Sequence, residues 1–338
     1  MMAAGAPIID VSSLVAGPHI AAGDDVADVA TAIDAACRGA GFFSIVGHGV
    51  DPGLIEELEQ LAREFFALDD STKATIAMTR GGRAWRGWFP LGGELTSGLP
   101  DRKEGLYFGA ELAPEHPKVR SGTPLHGPNQ FPPEPTALRG AVLAYMEAMT
   151  ALGHALVAGL ALGLGLTASW FAEHLTTDPT SLFRIFRYPP GDNGNWGVAE
   201  HTDYGLLTIL HQDSAGGLQV HAPGGWADVE PVRGALVCNL GDMLERMTSG
   251  TYRSTPHRVR NTSGADRVSL AFFFDPAWDA AIRPVPVERP EQRVDRGPRW
   301  DGADPEAFVG TYGDYLLAKV SRVFPELGDD LPSKDPRG

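Results

Sequence analysis

The stretch Glu200-His201-Thr202-Asp203 decides the fold, together with the more distant Thr255-Pro256-His257-Arg258-Val259. In an extended strand the side chains of residues i and i+2 leave the same face, so His201 and Asp203 can bind one metal ion from a single strand. A second imidazole, that of His257, would complete a triangle of ligands from another strand. The spacing therefore predicts a β-rich fold that holds a metal ion between two strands.

Two histidines and one carboxylate on one face of an octahedron leave three neighbouring coordination positions open. This is the arrangement of non-haem Fe(II) oxygenases, which bind a cosubstrate and dioxygen side by side. Zinc hydrolases usually keep fewer positions open. The ligand set thus favours Fe(II).

A second motif, Arg267-Val268-Ser269, follows His257 closely. Strand alternation puts Arg267 and Ser269 on one face. A guanidinium binds a carboxylate through two parallel hydrogen bonds, and the hydroxyl adds a third donor. We therefore predict that this pair holds one end of an anionic cosubstrate whose other end meets the metal.

Composition excludes some classes of partner. The chain of 338 residues has a formal net charge of −15 and a pI near 5.0, which would repel nucleic acid and anionic membranes. Cys37 and Cys238 stand in apolar stretches and predict reduced core thiols. We expect no signal peptide, and the longest apolar run, around residues 155–166, is predicted to be too short and too rich in Gly to cross a bilayer. We expect a cytoplasmic monomer or weak homo-oligomer whose partner is a small-molecule substrate.

The chain divides into two parts that we expect to form one compact unit. Residues 1–135 predict an N-terminal α/β extension and a loop region. Residues 136–338 predict bracing helices, a β core at about 181–276, and a C-terminal segment that ends in a helix near 312–323 and covers the mouth of the core. The short strands of the core, separated by Gly, Pro, Asp and Asn, are typical of a barrel or sandwich.

Beyond these residues the sequence resembles the 2-oxoglutarate- and Fe(II)-dependent oxygenases of the isopenicillin N synthase-like family over nearly its whole length. The fragments that carry the resemblance are Gly41-Phe42-Phe43, Gly47-His48-Gly49-Val50, Arg187-Tyr188-Pro189-Pro190, Gly217-Leu218-Gln219-Val220 and Asn239-Leu240-Gly241-Asp242. One departure is Phe186, where many plant relatives have Asn, which removes a polar contact to the cosubstrate.

The resemblance implies a fold, ligands and an activity. The fold is a mainly β double-stranded β-helix (jelly roll) with packed helices and the N-terminal extension. Fe(II) is bound by His201, Asp203 and His257, and 2-oxoglutarate is held by Arg267 and Ser269 with a supporting hydroxyl from Tyr188. With dioxygen as the second cosubstrate and ascorbate as a reductant, the enzyme would oxidise an unactivated C–H bond of a small molecule and release succinate and CO2.

Hydroxylation is the default outcome, and desaturation, ring closure or epoxidation would use the same residues. Two alternatives stay open. One is an oxidase of the same fold that needs no 2-oxoglutarate, in which Arg267 and Ser269 hold a substrate carboxylate. The other is a non-catalytic jelly-roll binding protein with a structural metal.

Substrate contacts are predicted in a long irregular segment, residues 78–135, where Arg83, Trp85, Arg86 and Trp88 stand close together. Their rings and charges favour a ring-bearing or amphipathic small molecule. Packing of the loop explains the same residues equally well. In that case the substrate would be held by the C-terminal segment and by strand faces near Arg184 and Phe273.

Overall fold

Two β-sheets face each other across the region that carries the histidine and arginine motifs. The computed structural model describes residues 6–16, 24–96, 98–191, 196–287 and 308–324. Its strands are β1 Ile8–Asp10, β2 Phe42–Val46, β3 Gly87–Phe89, β4 Leu95–Thr96, β5 Leu99–Pro100, β6 Glu104–Gly109, β7 Pro179–Tyr188, β8 Val198–His201, β9 Leu207–Gln212, β10 Leu218–Ala222, β11 Gly225–Asp228, β12 Leu236–Leu240, β13 His257–Val259 and β14 Arg267–Ala277.

The larger sheet has eight strands in the order β1-β2-β12-β9-β14-β7-β6-β3, and the smaller has four in the order β11-β10-β13-β8. Only β1 and β2 pair in parallel in the larger sheet, so its remaining ladders are antiparallel. The longest strands, β7 and β14, lie side by side near its centre. This is the double-stranded β-helix expected from the sequence, and β14 carries the arginine motif at its start.

Helices flank the sheets. They are α1 Ser12–Val15, α2 Asp24–Arg38, α3 Pro52–Phe66, α4 Asp70–Lys73, α5 Pro117–Arg120, α6 Leu138–Gly163, α7 Trp170–His174, α8 Asp242–Met247 and α9 Tyr312–Val323. Local signals set their starts: Asp51 accepts a hydrogen bond from the Gly53 N–H at the start of α3, and Thr311 forms a capping box with Asp314 at the start of α9.

Helix α6 is the bracing helix that the helical spacing of residues 136–163 predicts. It runs for 26 residues and, by length and composition alone, is the one helix among the described residues that could cross a membrane. Its buried side chains, among them Tyr145, Met149 and Leu156, pack in the same hydrophobic core as the strands, and α2 and α3 lie against it. The expectation that no apolar run is long enough was therefore wrong about length, because the run at residues 155–166 is the end of a helix that begins at Leu138.

The predicted C-terminal helix is confirmed with the bounds expected, whereas part of the segment before it, residues 288–307, lies outside the described residues.

The buried core is continuous from Ile9 in the extension to Phe324 after α9. The extension and the β core therefore share their packing.

Candidate metal centre and cosubstrate site

The three predicted metal ligands meet at one point between β8 and β13. The strands are antiparallel, and His257 is the direct partner of His201. Asp203 lies just past the end of β8. Its Oδ1 is 4.0 Å from His201 Nε2 and 3.8 Å from His257 Nε2, and one ligand atom from each residue lies within 4.8 Å of the others. Since ligand–metal bonds are about 2.1 Å long, these separations fit a single ion.

Backbone and side-chain hydrogen bonds orient each ligand. The Nδ1 atom of His201 lies 2.8 Å from the Ala199 carbonyl oxygen, and that of His257 lies 3.2 Å from the Thr255 carbonyl oxygen. A proton on Nδ1 satisfies these contacts and leaves the Nε2 lone pair for the metal.

The carboxylate of Asp203 is fixed in the same way. Its Oδ2 accepts hydrogen bonds from Thr208 Oγ1 at 2.5 Å and Asn239 Nδ2 at 2.6 Å, so that Oδ1 is the oxygen that faces the histidines. Asn239 belongs to a fragment that marked the family resemblance, and this contact gives it a physical role. Partners of this kind support metal affinity through the ligand they hold.

Burial and neighbouring groups set the protonation of His201 and Asp203. Desolvation, followed by the neighbouring His257, lowers the pKa of His201 to about 3. Desolvation acts to raise the pKa of Asp203, but the two imidazoles and its hydrogen bonds outweigh it, so that this pKa is lowered. At neutral pH the site therefore holds a neutral His201 and a carboxylate, the forms that bind a divalent cation.

Arg267 is completely buried at the start of β14. Its Nε donates to the Gly216 carbonyl oxygen at 2.6 Å, while Nη1 and Nη2 have no hydrogen-bond partner within the described part of the chain. Tyr188 is its cross-strand partner, and the tyrosine ring centre lies 4.7 Å from the guanidinium carbon. A buried guanidinium with two unbonded terminal nitrogens is unfavourable unless an anion accepts their hydrogen bonds. This end of the site therefore fits the carboxylate of 2-oxoglutarate.

A cavity of about 100 Å³ joins the arginine to the triad. Ser269 lines it next to Arg267, and Phe186 stands opposite Ser269 on β7. Alternate residues of β7 and β14 continue the wall, and α9 contributes Leu316 and Val323. The sequence analysis missed most of the polar residues that also line this cavity, namely Glu94, Thr96, Lys103, Tyr204 and Asp275.

The predicted substrate loop packs beside this cavity, where Trp85 and Arg86 line a smaller one that shares Arg184 with it. None of Arg83, Trp85, Arg86 and Trp88 lines the larger cavity. Arg86 donates to the carbonyl oxygens of residues 110, 125 and 127 and to the side chain of residue 129, and Trp88 Nε1 donates to Glu104 at 2.9 Å. Arg83 borders a separate groove. These contacts are those of a packed loop, and a role in substrate binding stays a prediction.

Two other histidines near the strands contact protein groups. His48 Nε2 lies 3.2 Å from the carbonyl oxygen of Gly234, and His211 Nε2 lies 3.3 Å from Glu59 Oε2. Among the described residues, the triad is the one cluster of at least three histidine, cysteine or acidic side chains with metal-binding spacing.

Comparison with known proteins identifies the family. Residues 6–134 match the family described as the N-terminal region of the non-haem dioxygenase in morphine synthesis, and residues 179–276 match the 2OG-Fe(II) oxygenase superfamily. A probable iron/ascorbate oxidoreductase of Dictyostelium discoideum is 44% identical, with 96% of both chains covered. The 1-aminocyclopropane-1-carboxylate oxidase of Dictyostelium mucoroides is 35% identical over 95% of both. A homoarginine-6-hydroxylase of Arabidopsis thaliana is 34% identical over 94% of this chain and 97% of its own.

Solved structures agree in fold. A Neurospora crassa protein crystallised with alpha-KG and thymine superposes with a TM-score of 0.75 at 26% identity, over 94% of this chain and 96% of that one. A putative 2OG-Fe(II) oxygenase family protein from Caulobacter crescentus has a TM-score of 0.75 at 27% identity, over 94% of this chain and 98% of that one. With the ligand triad and the buried arginine in place, the chain belongs to the 2-oxoglutarate- and Fe(II)-dependent oxygenases of the isopenicillin N synthase-like family.

Proposed function

We propose that this enzyme hydroxylates a C–H bond of a small molecule and couples that reaction to the oxidation of 2-oxoglutarate to succinate and CO2. The observation that carries the proposal is the pair of unbonded terminal nitrogens on Arg267, in a cavity that the ligand triad also lines. A 2-oxoglutarate molecule has a carboxylate for the arginine and a keto acid for the metal. The non-catalytic alternative is set aside by the family assignment.

Each side chain has a defined task in this proposal. His201, Asp203 and His257 would hold Fe(II), which supplies the activation of dioxygen when it is bound. Arg267 and Ser269 fix the far carboxylate of 2-oxoglutarate and so orient its keto acid towards the triad. Apolar side chains of the cavity wall keep bulk water from the reacting groups.

The protein selects the C–H bond by placement. The cavity is small, and the triad lies on its wall, so that a bound molecule presents few of its bonds to the metal. Hydroxylation needs no further residue. Desaturation and ring closure would differ in how the substrate is held beside the same triad.

A second candidate is an oxidase that works without 2-oxoglutarate. The relatives that favour it are named 1-aminocyclopropane-1-carboxylate oxidases and are 35% identical to this chain. In that case Arg267 would hold a carboxylate of the substrate. The two candidates assign different anions to the same guanidinium.

A coupled assay tests the proposal. The Fe(II) protein is incubated with dioxygen, ascorbate and a panel of small metabolites, with and without 2-oxoglutarate, and succinate and oxidised product are both measured. The proposal expects one succinate per product and no product without 2-oxoglutarate. Product that forms equally well without 2-oxoglutarate would overturn it in favour of the oxidase. The matched control is Asp203→Ala, which removes the metal ligand.

A further inference from the structure

A second buried arginine lines the same cavity. Arg184 lies on the inward face of β7, where it pairs with Ala271 of β14. Arg267 is four residues away from Ala271 on that strand, so the two guanidinium-bearing positions are separated by about 13 Å along the sheet. The cavity thus has two arginines on one wall.

The bonds of Arg184 are also incomplete. Its side chain is 14% exposed, and Nε has no hydrogen-bond partner among the described residues. The nearest carboxylate oxygen, Glu94 Oε1, is 3.8 Å from Nη1, beyond hydrogen-bond distance. The guanidinium carbon lies 4.3 Å from the ring centre of Tyr107 and 4.8 Å from that of Phe273. Stacked against rings in this way, a guanidinium keeps the donors in its plane available.

The other charged residues at this end already form ion pairs with one another. Lys103 Nζ lies 2.8 Å from Glu94 Oε2 and 2.9 Å from Asp101 Oδ2. Glu94 Oε1 accepts a hydrogen bond from the Tyr107 hydroxyl at 2.7 Å. A cationic substrate group would have to displace Lys103 from Glu94. An anionic group needs no such exchange, because Arg184 Nε has no hydrogen-bond partner among the described residues.

We propose that Arg184 anchors a carboxylate of the substrate, and that the enzyme acts on small carboxylic acids with an apolar body. This inference rests on the proposed function, in which Arg267 is used by 2-oxoglutarate. The apolar body has partners along the same cavity, since Leu210, Phe273, Leu316 and Val323 line it. Arg267 would then bind 2-oxoglutarate, and Arg184 would bind the carboxylate of the substrate.

Calorimetry of the anaerobic Fe(II) protein, saturated with 2-oxoglutarate, tests this assignment. The probes are hexanoate, octanoate, phenylacetate and 3-phenylpropanoate, each compared with its primary amide. We expect at least one acid to bind at least about tenfold more tightly than its amide, because a charge-assisted pair is lost in the amide. In Arg184→Gln this preference should fall below about twofold. Arg184→Lys keeps the charge without the planar fork and should give an intermediate preference.

Arg187→Gln is the matched control. Arg187 is on the same strand but bonds to Glu104 and Asp266 rather than lining the cavity, so the change removes the same charge and should keep the preference for the acid. The assignment is overturned if no acid is preferred, or if the preference survives in both Arg184 variants. A wild-type protein that fails to bind 2-oxoglutarate contradicts the proposed function instead. Normal 2-oxoglutarate binding without acid preference contradicts this inference alone.

Discussion

Two buried arginines, Arg86 and Arg267, show opposite patterns of bonding. Arg86 is 3% exposed, and both of its terminal nitrogens donate to protein oxygens, while Nε has no partner in the described part of the chain. Arg267 is fully buried, and its Nε donates to Gly216 while both terminal nitrogens have no partner within the described residues. The flat two-donor edge that binds a carboxylate is therefore used by the fold in one case and left for a ligand in the other. Burial alone does not separate a structural arginine from a binding one.

The largest effect is expected from loss of the metal site, which lies in the same cavity as Arg267. Asp203→Ala removes a ligand whose oxygen faces both histidines, so we expect Fe(II) binding and turnover to be lost. Unfolding should stay cooperative, because the change removes a small side chain at the cavity wall. Iron content and product formation are the measurements. Activity within about tenfold of wild type would refute the assignment of the metal site.

Arg86→Met tests the structural side of the comparison. The change removes one donor from each of three backbone carbonyl oxygens and from the Asn129 amide oxygen, which keeps the Gly109 N–H. We expect the free energy of unfolding, measured in denaturant, to fall by about 3 kcal/mol. The affinity for 2-oxoglutarate should change less than about threefold. A loss of stability below about 1 kcal/mol would mean that the loop does not depend on this residue.

Arg267→Lys tests the binding side at constant charge. An ammonium cannot reproduce the planar fork, and the loss of one charge-assisted bond costs about 1.5 to 3 kcal/mol. We expect the apparent KM for 2-oxoglutarate to rise at least about tenfold while Fe(II) still binds. If the KM for 2-oxoglutarate is unchanged and that for the organic substrate rises, the arginine holds the substrate and the oxidase alternative is correct.

The smallest effect is expected at Arg83, which is exposed and borders a groove away from the triad. Arg83→Ala should change the free energy of unfolding by less than about 0.5 kcal/mol. Turnover of the native substrate should stay within about twofold of wild type. A clear rise in the substrate KM would instead support the loop contact predicted from the sequence.

The metal site was predictable because its signal is local. The i, i+2 spacing of His201 and Asp203 fixes a shared face, and the antiparallel register then brings His257 beside His201. The sequence also indicated that Arg184 faces the cavity, since Arg184, Phe186 and Tyr188 are two residues apart on β7 and share one face of the strand. What the sequence did not reveal is that Lys103, directly before β6, already forms an ion pair with Glu94.

The loop prediction shows the limit of composition. Trp85, Arg86 and Trp88 have the residue types of a binding pocket, but the acceptors of Arg86 are mainly backbone carbonyls at residues 110–127. Backbone acceptors have no residue signature, so no local pattern separates a bonded guanidinium from an unbonded one. The same limit applied to Arg267, whose role came from the family resemblance and from its Arg-x-Ser spacing.

The most direct test of the central claim is an anaerobic titration of the Fe(II) protein with 2-oxoglutarate, followed by the weak visible charge-transfer band of a chelated keto acid. The account predicts that wild type and folded Arg86→Met reach half-saturation at similar concentrations. Arg267→Met should need about 100-fold more 2-oxoglutarate, because two charge-assisted bonds are lost. Saturation of Arg267→Met at the wild-type concentration would contradict the account, as would loss of the band in folded Arg86→Met.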